Sequence, residues 1–156
     1  MASQVKWHCH GFGDFSVQQL YEVLQLRDQV FVVEQQSIYG DLDGLDQRCW
    51  HLSGRDGSEQ LVAYARLLAP GVKYPDAVAI GRVVIAPYRR GGGLGRQLVQ
   101  QAIHHCEQLY PGRAIMLSAQ ASLQRFYEGL GFVVQSEPYD DGGILHLDMR
   151  RHNACA

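Results

Sequence analysis

The stretch Arg89–Leu98 reads RRGGGLGRQL. Four glycines among the five positions 91–95 would be costly inside a helix, yet they stand where an apolar strand pattern, AIGRVVI, gives way to a helical one. At such a junction, unpaired N–H groups and the positive end of the helix dipole favour an anion. Bare backbone lets that anion come closer than a Cβ would allow. The amides of Gly91, Gly92, Gly93, Leu94, Gly95 and Arg96 therefore form a candidate cradle, with Arg90 beside it. Two familiar phosphate loops do not fit. A Walker loop needs Gly-Lys-Ser/Thr where this chain has Gly95, Arg96 and Gln97, and a G-x-G-x-x-G fingerprint meets Leu98 or Arg96 at its third glycine.

Other groups that could do chemistry are scattered. Asp41, Asp43 and Asp46 cluster in an acidic connection, expected to be a solvated loop with Asx turns. Its alternative use is to attract a cationic ligand. The cysteines, Cys9, Cys49, Cys106 and Cys155, form no CxxC half-site, and strand alternation turns His8 and His10 away from Cys9, so no metal site is expected.

The elements that must position these groups follow from periodicity. Val5, Trp7 and Cys9 alternate as a strand. Ser16 with Gln19 makes a capping box, and Val17, Leu20, Tyr21 and Leu24 continue a helix to about Val30, with a second helix possible in the acidic connection. Residues 49–53 and 60–68 read as strands around an RDGS turn, and 78–85 as another. A helix with Leu94, Leu98, Val99, Ala102, Cys106 and Leu109 on its apolar side follows, then a buried strand over 114–119, a helix over 122–129, and a hairpin of 132–137 with 144–149 across YDDGG. The expectation is one α/β domain over residues 1–156.

Bulk properties agree. A chain of 156 residues, 46% hydrophobic and 19% charged, can bury a core without staples. A net charge of -2 gives no broad basic face for nucleic acid. No apolar run is long enough for a bilayer and no signal-peptide core opens the chain, so no membrane association and a reducing cytoplasm are expected.

The pattern P-x-x-R-G-x-G-x-G, carried by Pro87, Arg90, Gly91, Gly93 and Gly95, resembles the pyrophosphate loop of the GNAT N-acetyltransferase superfamily, and LQRFYEGLGF resembles its last helix. The segments LQLRDQVFVVEQQSIYGDLDGLD, AYARLL, IGRVVI, LSAQASLQRFYEGLGF and YDDGGILHLDM are similar to the ElaA-like subgroup over most of the chain. The resemblance implies a splayed mixed β-sheet flanked by helices, with acetyl-CoA between the strands 78–85 and 114–119 and its diphosphate on the glycine loop. It implies pantetheine pairing with the main chain of Val83, Val84 and Ile85, a bulge amide at Val83 or Val84 for the oxyanion, and Gln120 and Tyr127 on the acyl-CoA side, Tyr127 being the general acid.

The activity implied is acetyl transfer from acetyl-CoA, as cosubstrate, to an amine on a small molecule or peptide, by direct attack. A homodimer is common among such proteins. An amine with pKa ~10.4 is neutral about once in 2,500 molecules at pH 7, so a base is needed. Glu34, His51, Glu137 and His146 are the candidates, Glu34 first. The alternative is a sensor or partner module that binds acyl-CoA without turnover.

Overall fold

The computed structural model describes residues 4–152. The elements in chain order are β1 (Lys6–Gly11), α1 (Val17–Arg27), β2 (Trp50–Arg55), β3 (Leu61–Leu68), β4 (Val78–Ile85), α2 (Leu94–Leu109), β5 (Ile115–Gln120), α3 (Gln124–Glu128), β6 (Val133–Val134), β7 (Tyr139–Asp141) and β8 (Ile144–Arg151). The strands form one mixed sheet in the order β1-β2-β3-β4-β5-β8-β6, with β7 paired to β8. β4 and β5 pair in parallel at Val78↔Ile115 and Ala79↔Met116, while β1-β2, β2-β3 and the three ladders on β8 are antiparallel. Among the described residues no helix is long and apolar enough to cross a membrane. Contacts divide the chain into two units, one running up to Leu67 and resuming over Arg82–Ala102, the other comprising Leu68–Gly81 and the residues from Ile103 onward.

In the first unit the capping box forms as the sequence requires: Gln19 N donates to Ser16 Oγ and Ser16 N to Gln19 Oε1, each at 3.0 Å. Each such cap is worth ~1 kcal/mol. The apolar side of α1 differs from the expected one, because Val17 and Tyr21 are exposed while Val23, Leu26 and Arg27 are buried. The buried stripe runs through residues 23, 26, 27 and 30, again at i, i+3, i+4 and i+7, with Leu20 and Leu24 half-buried at its edge, and packing selects it. Val23, Leu26 and Val30 join Tyr64 of β3 and Val84 of β4 in a core cluster against which Phe15 and Phe31 pack. Beyond Arg27 the helix widens over Asp28–Glu34 into π geometry, with Gln35 N donating to Val30 O and Ser37 N to Val32 O. β-branched Val30, Val32 and Val33 lie in this widened turn, where side-chain crowding disfavours an ordinary helix.

In the second unit β5 and β8 pair over six positions, from Ile115↔Arg151 to Gln120↔His146. Ile115, Leu117, Ala119, Leu147 and Met149 are buried on one face, which leaves Ser118, Gln120, His146 and Asp148 on the other. The expected strand over 132–137 divides: β6 pairs Val133↔Arg150 and Val134↔Met149, whereas β7 pairs Tyr139↔His146. Pro138, which has no N–H for a ladder, stands between them. The β7–β8 turn runs through Gly142 and Gly143, both at positive φ (64° and 89°), as a tight two-residue hairpin requires.

Gly54 faces Trp7 across the β1–β2 ladder, and a Cβ there would meet the indole at 2.7 Å. Gly54→Ala is therefore expected to destabilise the fold by about 1–3 kcal/mol in urea denaturation. An unchanged midpoint would show that Trp7 moves freely.

Candidate active site

The loop after β4 lies wholly in the first unit. Pro87 opens a 3-10 turn over Pro87–Arg89, Arg90 is extended, and Gly91 and Gly93 take φ of +87° and +80°. The Gly93 carbonyl accepts the Gln97 amide at 3.3 Å, which starts α2. A Cβ built on Gly91, Gly92 or Gly93 meets nothing within 4 Å. Gly92 has an ordinary φ, so neither torsion nor internal packing calls for glycine there, and the space above it is open to a ligand. Leu94 is buried beneath the loop's exit, and Arg96 is exposed.

Arg90 donates from Nη1 and Nη2 to the two oxygens of Glu34, at 2.7 and 3.0 Å. These hydrogen bonds hold the Glu34 carboxyl below its usual range. Both groups are half exposed, so the pair contributes little to stability and can be exchanged.

β4 itself is kinked. Arg82 takes φ +52°, rare for a residue with a side chain, and Gly81, Arg82 and Val83 are all half-buried in succession, which breaks strand alternation as a bulge does. Val84 then turns into the core while Val83 and Ile85 face the other way. The kink is clamped: Arg82 Nε donates to Asp41 Oδ1 at 2.7 Å and Nη2 to the Asp41 carbonyl at 2.7 Å.

That clamp belongs to a larger network. Fully buried Arg27 donates from Nε to Asp41 Oδ2 at 2.8 Å and from Nη1 and Nη2 to Asp46 at 2.8 and 3.2 Å. Arg66 Nη1 reaches Asp43 Oδ1 at 2.9 Å and Asp46 Oδ1 at 3.0 Å, and its Nη2 bonds Asp43 Oδ2. The acidic connection is thus not the solvated loop expected of it. Asp41 and Asp46 are buried, and only the Asp43 carboxylate makes an Asx-type bond, to the Leu45 amide at 3.0 Å. Nor is it free to attract a cation, since each aspartate already meets arginine. Arginines inside apolar runs, Arg66 in LVAYARLL and Arg82 in VAIGRVVI, were the available signal that buried carboxylates must answer them.

His51 is buried beside this network. Its Nε2 faces the Asp46 carbonyl at 2.9 Å, so that nitrogen carries the proton, and Nδ1 accepts the Tyr64 hydroxyl at 2.7 Å. Both ring nitrogens are engaged, and burial pulls the pKa below the ordinary histidine value. As a base, His51 has no lone pair to offer in this arrangement.

In the second unit Tyr127 is buried on α3, edge-on to Phe126 and Phe132 at 5.0 and 5.8 Å between ring centroids. Burial pushes its phenol up to about 12. Gln120 ends β5 opposite His146, whose Nδ1 meets the Ile144 carbonyl at 2.8 Å, and Glu137 is exposed.

A mixed eight-stranded sheet with a glycine-built turn between a kinked strand and a long helix is the arrangement against which comparison becomes informative. Residues 13–152 match the model of the acetyltransferase (GNAT) domain, and the chain belongs to that family of acetyltransferases. It is 40% identical over 149 residues to protein ElaA of Escherichia coli, covering 94% of this chain and 96% of that one. Among solved structures it is similar to an acyl-CoA N-acyltransferase from Pseudomonas aeruginosa, with TM-score 0.89, 43% identity, and coverage of 95% and 99%. The crystal structure of E. coli ElaA matches at TM-score 0.89 and 38% identity, covering 96% of this chain and 100% of that one.

The His51 environment has a consequence for stability. Its folded pKa lies below the unfolded value of ~6.5, so the unfolded chain binds more protons and stability falls as pH drops through that value. Glu34, Asp43 and Asp46 act in the same direction below about pH 4, where their unfolded forms protonate first. Urea midpoints are expected to fall between pH 7 and pH 5 for the natural chain and to fall less for His51→Gln, in which His105, also lowered by burial, keeps its share. A drop of equal size in both would remove His51 from the cause.

Proposed function

We propose that the chain is one GNAT domain over residues 1–156 that transfers an acetyl group from acetyl-CoA to an amine, by direct attack. The observation that carries this is Gly92, a glycine with ordinary torsion and empty space above it, set between two left-handed glycines at the start of a 16-residue helix. Such a surface suits a diphosphate.

Acetyl-CoA, when bound, supplies an activated thioester. The amides of Gly91–Arg96 hold its diphosphate, and Arg90 turns to it from Glu34. The main chain of Val83, Val84 and Ile85 pairs with the pantetheine arm as an added strand, and the amide of Val83 or Val84, aimed by the Arg82 kink, stabilises the oxyanion. Gln120 and Tyr127 serve the acyl-CoA side. From a phenol at about 12 to a thiolate of pKa ~8.5, the proton moves uphill by about 5 kcal/mol, against ~2 for an unperturbed phenol, which still permits slow turnover. Glu34, once released by Arg90, loses the partner that depresses its pKa and is the proposed base. Direct attack is supported by the thiols: burial pushes Cys9 up to about 11 and raises Cys49, so neither is an available nucleophile. The thiols of Cys9 and Cys49, in no disulfide among the described residues, also suit a reducing cytoplasm; Cys155 lies outside the described residues.

Gly92→Ala is expected to leave the thermal midpoint unchanged and to weaken acetyl-CoA binding by about tenfold, ~1.4 kcal/mol, in calorimetry. Retained affinity would contradict the loop's role. A CoA-release assay over a panel of amines tests turnover, and binding without release from any amine would favour the sensor reading instead.

A further inference from the structure

The three aspartates that sequence alone offered to a cationic acceptor are neutralised by arginine, which raises the question of where an uncompensated carboxylate does lie. Among the described residues, the other buried or half-buried carboxylates each face an arginine: Glu22 meets Arg55 at 3.1 Å, Asp56 meets Arg89 at 3.6 Å and Glu107 meets Arg151 at 3.6 Å, besides Asp41 and Asp46. Asp148 is half-buried and, among the described residues, has no ion pair. Arg150, two residues along the same strand face, is turned to Asp76 at 3.5 Å.

What surrounds Asp148 is a set of hydroxyls and rings within the second unit. The Tyr139 hydroxyl donates to Asp148 Oδ1 at 2.6 Å. Its single proton is thereby used, so Ser118 must donate to the Tyr139 oxygen at 2.5 Å, and the Ser118 oxygen keeps its lone pairs as acceptors. Ser118 and Asp148 are direct partners on β5 and β8, and Tyr139 stands opposite His146 on β7 and stacks on its ring at 6.2 Å. The Tyr74 hydroxyl is buried with its oxygen turned toward Asp148, and burial, then the charge of Asp148, keeps it protonated. One negative charge, half-buried acceptor oxygens and the aromatic rings of Tyr139 and His146 suit a compact cation with several N–H donors. They do not suit a phosphate or carboxylate.

We propose that Asp148, Tyr139 and Ser118 form a binding site for the ammonium head of a primary amine, and that this head belongs to the acetyl acceptor. The second clause rests on the acyl-transfer reading; the first does not. The charge of Asp148 supplies the attraction, the Ser118 oxygen takes one N–H, and the hydroxyl chain fixes the orientation of the carboxylate.

The test is a titration of the isotopically labelled full chain with n-butylammonium chloride, without acetyl-CoA, followed by amide NMR, with 1-butanol as the neutral control. Saturable shifts at Ser118, Tyr139 and Asp148 are expected with the ammonium and not with the alcohol, weakened at least tenfold in Asp148→Asn. An equal response to butanol, or undiminished binding in Asp148→Asn, overturns the site. Should that variant fail to fold, Ser118→Ala carries the same test with a several-fold loss expected and no loss overturning it. In CoA release with an amine acceptor, Asp148→Asn is expected to raise the amine KM at least tenfold and leave the acetyl-CoA KM unchanged; the reverse split overturns the acceptor assignment. Absence of CoA release from natural protein would sink the transferase reading while the amine titration still decides the site.

Discussion

A guanidinium taken wholly out of water costs several kcal/mol unless its charge and its N–H groups are met, and Arg27 is wholly buried. Asp41 and Asp46 meet it, Asp41 is shared with Arg82, and Asp46 is shared with Arg66, which also holds Asp43. Three arginines and three aspartates close into a set that is neutral as a whole, and deleting one member would strand its partners in a poorly solvated place. Through these bonds the end of α1, the acidic connection, β3 and the kink of β4 are fixed to one another. A long connection with little regular structure is thereby ordered by side chains rather than by a backbone ladder.

The chemistry of the glycine loop inherits that order. Arg82 takes a conformation that costs a residue with a side chain of order 1 kcal/mol or more, and it does so because Asp41 grips its guanidinium from two sides. The strand therefore bends at Arg82 immediately before Val83 and Val84, whose amides are proposed to meet the acyl group, and leads into the turn that delivers Gly91–Gly95. Exposed Glu34 and Arg90, by contrast, are joined by a weakly held pair in competition with any phosphate. The clamped residues carry geometry here, and the exchangeable pair sits beside the loop proposed to bind the diphosphate.

Local chemistry was readable from the chain and long-range pairing was not. The capping box of Ser16 and Gln19, the Gly142–Gly143 turn and the glycine loop each depend on neighbours a few residues away, so residue type and spacing suffice. The partners of Arg27, Arg66 and Arg82 are 14 to 41 residues distant, and the loop of acids read as solvated because nothing nearby in sequence announced the arginines. The α1 face was misplaced because the stripes 17, 20, 21, 24 and 23, 26, 27, 30 have the same helical spacing and only packing distinguishes them, and the strand expected over 132–137 ignored Pro138 just beyond its end. At the site, burial revised roles that residue type alone allowed: His51 has both nitrogens engaged, and Tyr127 is a weaker acid than a free phenol.

The proposed chemistry depends on main-chain amides between Arg90 and Leu98 holding the diphosphate of coenzyme A. Calorimetric titration with acetyl-CoA and with S-acetylpantetheine, which carries the same thioester and arm but no diphosphate, isolates that interaction. Micromolar affinity is expected for the first and at least a hundredfold loss, ~2.7 kcal/mol, for the second. Equal affinity for the two would contradict it.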